Sequence, residues 1–191
     1  MLKISVKTDF GPLLRKLDGL QKGLQDRVIA RTLNRMADST KTEATREISR
    51  EFNITATRVR ERILVRRAFA KTRLAVEISV PSKDRRRALN VISFGARQTR
   101  KGVSFAVKRG GQRVVIPTAF IGNKGRTVFT RERRKGPGKR LPIFGVTAID
   151  VPQMFNTRRI NQKLLANVRA KFPVEFERQL SYELRRLGFR P

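Results

Sequence analysis

The sequence holds no cysteine, no histidine, no tryptophan and a single tyrosine. Without cysteine there is no disulfide, no thiolate nucleophile and no zinc site of the cysteine type. Without histidine the commonest general base, the commonest metal ligand and the serine or cysteine triads are gone. Acidic residues are scarce too, 15 against 45 Lys and Arg in 191 residues. Most of them sit in helical stretches beside basic residues, where ion pairing is the expected use. No carboxylate pair stands at catalytic spacing. Glu77 and Asp84 are the only acids of the strand-rich region before Glu132, too few for a metal-dependent nuclease. The expectation is a protein that is not an enzyme and carries no cofactor and no metal.

Long apolar runs are also missing. No stretch of about 18 apolar residues could span a bilayer. The opening residues MLKISVKTDF lack the apolar core of a signal peptide. Assembly in the cytoplasm, with no membrane partner, is expected. Hydrophobic residues make up 39% of the chain, below the usual globular share. A chain of this length can build a core without disulfides or metals. That core should be modest, with some apolar surface left for partner subunits, and the length suits a single domain.

What is abundant is positive charge, a formal net of +30. It is concentrated in the middle of the chain. Residues 1–53 carry 11 basic and 7 acidic residues, residues 54–140 carry 25 and 4, and residues 141–191 carry 9 and 4. A compact monomer so charged repels itself and calls for a polyanion or acidic neighbours. The basic clusters are Arg85, Arg86 and Arg87; Arg97 with Arg100 and Lys101; Lys108 and Arg109 with Arg113; Lys124; and Arg131, Arg133, Arg134, Lys135, Lys139 and Arg140. Loops of this kind touch phosphate, bind acidic protein partners or simply face solvent. Phosphate contact would make affinity fall steeply with salt. Arginine's planar fork suits phosphate and carboxylate alike, so it does not separate the first two readings.

The periodicity predicts an α+β protein with long N-terminal and C-terminal helices packed on a mostly antiparallel sheet. Residues 2–8 alternate as a short strand. From Leu13 to about Phe52, apolar steps of three and four predict a long helix, with Gly19 and Gly23 either weakening it or permitting close packing. A short helix follows, reaching Ile63. Residues 68–70 form a weak strand, and 74–80 alternate cleanly as the best strand of the chain. Two hairpins have basic tips, one at Arg109–Gly110–Gly111 and one at Gly122–Asn123–Lys124–Gly125. Gly136, Pro137 and Gly138 predict an irregular basic loop over 131–140. The C-terminal pattern predicts a helix that Pro173 breaks, or that restarts with Pro173 in its first turn. The chain thus divides into 1–53 (strand and long helix), 54–156 (basic and strand-rich) and 157–191 (helical).

Several motifs fall short of a mechanism. Residues 101–108 match an RNA-binding strand at Lys101, Gly102 and Phe105, but Val103 and Lys108 stand where stacking aromatics belong. The glycine pairs lack the Gly-Lys-Ser/Thr ending of a phosphate-binding loop. Arg58, Arg60, Arg62, Arg66 and Arg67 surround a short helix whose polar face is too narrow to read a DNA groove, so a surface helix is expected.

One stretch is more specific. A basic Gly/Pro loop leads to Leu141, Pro142 and Ile143, then to Val151, Pro152, Gln153, Met154 and Phe155, and then to a helix. With the long N-terminal helix and the Arg-rich centre, this resembles the minor tail protein Z family of lambda-like phages and prophages. It differs at Thr147–Ala148–Ile149–Asp150, where Gly-Pro-Ser tends to stand before the Val-Pro step. The resemblance implies a virion protein of tail completion at the head-proximal end of the tail. It further implies a ring of sixfold symmetry, neighbours among the tail terminator, tail tube and head-tail connector, and contact with the genome DNA end. The alternative is a soluble basic nucleic-acid-binding protein, which would bind DNA or RNA tightly as a free monomer.

Overall fold

The computed structural model describes residues 2–3, 15, 21–81, 89–131 and 143–188. Its longest elements come from the apolar steps noted above. Helix α1, Lys22–Glu51, buries Leu24, Val28, Met36, Ala44 and Ile48. Gly23 lies in its first turn with no atom within 4 Å of where a Cβ would stand, so close packing is not its role. The start of the expected helix, before residue 21, and residues 4–8 of the expected strand lie outside the described residues, apart from Arg15. The chain divides into two compact units, one of Met1–Ala44, Ile63–Pro81 and Asn156–Pro191, the other of Thr45–Arg62 and Ser82–Phe155.

In the first unit, strands β1 (Leu2–Lys3), β2 (Leu64–Arg66) and β3 (Glu77–Val80) form an antiparallel sheet in the order β1-β3-β2. The 74–80 strand is shorter than expected, and 68–70 is no strand. Chain leaves the sheet at Ala68, whose N–H and C=O both bond the Asn34 side chain, at 2.9 and 3.0 Å. Strand β2 therefore ends at Arg66, opposite Glu77, and among the described residues no strand pairs with Leu74–Val76. Phe69 and Arg73 instead close a tight turn.

The C-terminal helix is α4, Arg158–Arg186, and Pro173 lies inside it. This corrects the expectation of a break. Pro173 cannot donate to the preceding turn, but Phe172 and Phe176 on either side of it are buried, with ring centroids 6.3 Å apart. They join Val28 and Met36 in one apolar cluster, bordered by Ile29, Leu33, Val168 and Leu180. Burying side chains of this size contributes about 1.5–3 kcal/mol each, enough to hold a helix through one missing hydrogen bond. Ion pairs fix the direction. Arg27 and Arg31 meet Glu183, while Glu43 meets Lys171 and Asn167, so α1 and α4 run antiparallel.

Among its described residues the second unit contains a short helix α2 (Ala56–Arg62), a 3-10 turn (Val91–Phe94) and six strands: β4 (Arg97–Thr99), β5 (Gly102–Phe105), β6 (Val114–Ile116), β7 (Ala119–Gly122), β8 (Thr127–Arg131) and β9 (Ile143–Gly145). They make two antiparallel sheets, β4-β5-β6 and β7-β8-β9. Helix α3, Val151–Phe155, follows. Both expected hairpins are present, with Val103 opposite Ile116 and Ile121 opposite Val128. The class is α+β, with the antiparallel strands shared among three small sheets.

Candidate basic partner-facing surface

The Gly122–Gly125 turn owes its shape to positive φ at Asn123 (52°), Lys124 (52°) and Gly125 (80°). Asn and Gly tolerate that region best, and here it lifts Lys124 into solvent. Arg126, in the same turn, is exposed as well. It was not among the expected contact residues, although its place beside the Gly-flanked turn would have indicated it. The other basic turn is Arg100–Lys101, between β4 and β5, with both side chains exposed. Strand β4 had no apolar signal, because Arg97, Gln98 and Thr99 are all exposed. It is held by pairing with β5 and by Gln98, whose Oε1 accepts from the Ile121 N–H at 3.0 Å. That bond ties the two sheets together close in sequence to both turns.

Lys108 and Arg109 lie at the other end of β5. Lys108 pairs with Phe52 across an isolated bridge, and the Arg109 N–H donates to the Glu51 carbonyl at 3.0 Å. Their side chains are exposed. The sequence clusters therefore form two groups, one at each end of β5.

Two arginines are already engaged. The Arg113 guanidinium donates to Ser104 Oγ at 3.0 Å, to the Ser104 carbonyl at 2.8 Å and to the Gly95 carbonyl at 2.9 Å. Those bonds give Arg113 a structural part in the sheet. Arg131 lies 4.8 Å over the Phe120 ring, a cation–π contact that orients it at the end of β8. Arg97 is exposed in β4, opposite Ser104. Arg85, Arg86, Arg87, Arg133, Arg134, Lys135, Lys139, Arg140, Leu141 and Pro142 lie outside the described residues.

The Val-Pro-Gln-Met-Phe stretch is α3, and its geometry explains its composition. Val151, Pro152, Met154 and Phe155 are buried. Asp150 caps the helix, its Oδ1 accepting from the Val151 N–H at 2.7 Å. Gln153 reaches back, its Oε1 accepting from the Asp150 N–H at 3.1 Å, as in a capping box. Ahead of it, Val91 and Ala148 exchange backbone bonds with Val146 and Leu89. Ile143 stands exposed at the start of β9. The motif thus works as packing and capping.

The prophage minor tail protein Z family matches residues 12–190. The chain belongs to that family. No curated protein and no solved structure matches it significantly. Minor tail protein Z is a structural protein of the phage tail, so this chain is a virion protein that works against other virion components. Among the described residues no group of three or more acidic side chains is placed to hold a metal ion, and no helix is long and apolar enough to cross a membrane.

Proposed function

We propose that this chain is a tail-completion protein of the neck, acting at the head-proximal end of the tail and needed for productive joining of tails to DNA-filled heads. Membership of the minor tail protein Z family is the observation that carries the reading. In this proposal copies of the chain form a ring of sixfold symmetry in the particle, assembled in the host cytoplasm. The ring meets the tail terminator or tail tube on one side and the head-tail connector on the other.

Two features of the second unit support it. The exposed turns around Arg100, Lys101, Lys124 and Arg126, with Lys108 and Arg109 at the other end of β5, offer cations to the genome DNA end or to acidic ring neighbours. Strands β6 and β9 are sheet edges, and Val114, Val115, Ile143 and Phe144 on them are exposed. Exposed apolar edges suit a protein whose neighbouring copies complete its cover.

Replacing Arg100, Lys101, Arg109 and Lys124 together by Ser tests the contact role. The expected result is filled heads and finished tails that fail to join, from a protein whose unfolding midpoint is unchanged. Normal joining by the quadruple variant would contradict the assignment of these turns.

A further inference from the structure

The first unit contains a second concentration of charge, marked by no run in the sequence because its residues are far apart in the chain. Arg31, Arg35 and Asp38 on α1, Arg67 just beyond β2, and Arg178 and Tyr182 on α4 line a cleft of about 530 Å³. Four arginines and one carboxylate thus stand among its lining residues.

The four are not equivalent. Arg31 pairs with Glu183, whose side chain is 1% exposed, and lies 5.0 Å over the Tyr182 ring. Arg67 grips Asp38 with both terminal nitrogens, at 2.8 and 3.2 Å. The cleft wall carrying Arg67 is itself pinned, because the Asn34 amide takes both backbone groups of Ala68. These two arginines are structural. Arg178 makes a 3.5 Å contact with Glu175 and is 75% exposed. The Arg35 side chain is exposed and makes no hydrogen bond or ion pair among the described residues. A rigid, positively charged recess therefore holds two guanidinium groups with donors to spare.

Its shape and surroundings decide what fits. A recess of this size admits side chains and excludes a nucleic-acid duplex, whose major groove alone is about 12 Å wide. Tyr182 in the cleft is 54% exposed, and Phe69, two residues beyond Arg67, is 63% exposed. Carboxylates for the arginines with apolar groups for the aromatics is the chemistry of a polypeptide. We propose that this cleft is a docking site for an acidic segment of a partner protein, its carboxylates bound by Arg35 and Arg178. The inference uses the first unit alone and does not depend on the basic turns of the second.

The chain supplies its own reporter. Tyr182 is its only tyrosine and there is no tryptophan, so intrinsic emission reads this cleft and not the rest of a +30 surface. The experiment titrates the full chain with a hexaglutamate peptide, and separately with inorganic tripolyphosphate, at physiological salt. Hexaglutamate should change Tyr182 emission saturably. The R35Q/R178Q double variant should raise the midpoint about ten-fold, each single variant about three-fold, as expected for exposed charge contacts. R100Q/K101Q, in the other unit, should leave the midpoint in place. An emission that hexaglutamate does not change, a midpoint unmoved by R35Q and R178Q, or tripolyphosphate saturating at lower concentration than hexaglutamate would overturn the proposal. Since the readout is peptide binding, its failure is distinct from a failure of the head-tail joining role.

Discussion

The Asn90 side chain pairs with Val128 as a neighbouring strand would. Its Oδ1 accepts from the Val128 N–H at 2.9 Å and its Nδ2 donates to the Val128 carbonyl at 2.9 Å. The same Oδ1 accepts from the Ile92 N–H at 3.1 Å, capping the 3-10 turn. One side chain therefore joins the turn to the middle strand of the β7-β8-β9 sheet, next to the segment that leads into α3.

Asn90→Ala leaves the Val128 and Ile92 N–H groups without that acceptor, while the Val128 carbonyl keeps its bond from the Val146 N–H. Losing a partner for a half-buried donor costs about 1–3 kcal/mol. The expected result is an unfolding free energy in urea lowered by that amount, with the midpoint falling accordingly. Asn90→Asp, which keeps the acceptor but sets a carboxylate against the Val128 carbonyl, should be no more stable than the Ala variant. An unchanged midpoint in both would contradict the bridging role.

Gly102 is constrained twice. Its φ is +128°, and a Cβ there would stand 2.1 Å from the Ile116 carbonyl oxygen and 2.7 Å from Pro117 Cα. Both obstacles are backbone and cannot swing away. Gly102→Ala should cost clearly more than the ~1 kcal/mol typical of an unsuitable φ alone. Gly110, at φ +70° with nothing within 4 Å of its Cβ position, is the matched control, expected near ~1 kcal/mol. Thermal unfolding of the two variants checks the contrast, and equal losses would contradict it.

Pro173 interrupts the hydrogen-bond ladder of α4 on an exposed face. Proline is about 3 kcal/mol worse than alanine inside a helix. Pro173→Ala should therefore raise the unfolding midpoint, by an amount equivalent to about 1 kcal/mol or more. A lowered midpoint would mean instead that the proline shapes α4 so as to seat Phe172 and Phe176.

Local chemistry was legible wherever a residue type dictates its own conformation. The glycine-flanked turns after Lys108 and Gly122 lie where they were expected, whereas the short helix Val151–Phe155, capped by Asp150 and Gln153, stands where only the approach to a helix was read. What failed to show was long-range. Strand β4 is polar on both faces and exists because β5 and Ile121 offer partners. Leu74–Val76 alternate like a strand, yet Asn34 captures Ala68, so β2 stops short of them. Pro173 reads as a break until the apolar cluster around Val28 and Met36 is seen to hold both sides of it. The same limit applies to charge. Arg100, Lys101, Lys108, Arg109 and Lys124 were visible as runs and turns, but the structural use of Arg113 depends on Ser104 and Gly95. The arginine cleft draws on residues more than a hundred positions apart, with no local signal.

A minor tail protein Z chain that completes tails for joining to heads leaves a defect visible in the particles when it is missing. The most direct test is electron microscopy of particles made with the gene disabled, scored beside infectivity. The account predicts DNA-filled heads and finished tails that remain separate, or that join without infectivity, with recovery when the gene is supplied. Normal, infectious particles would contradict it.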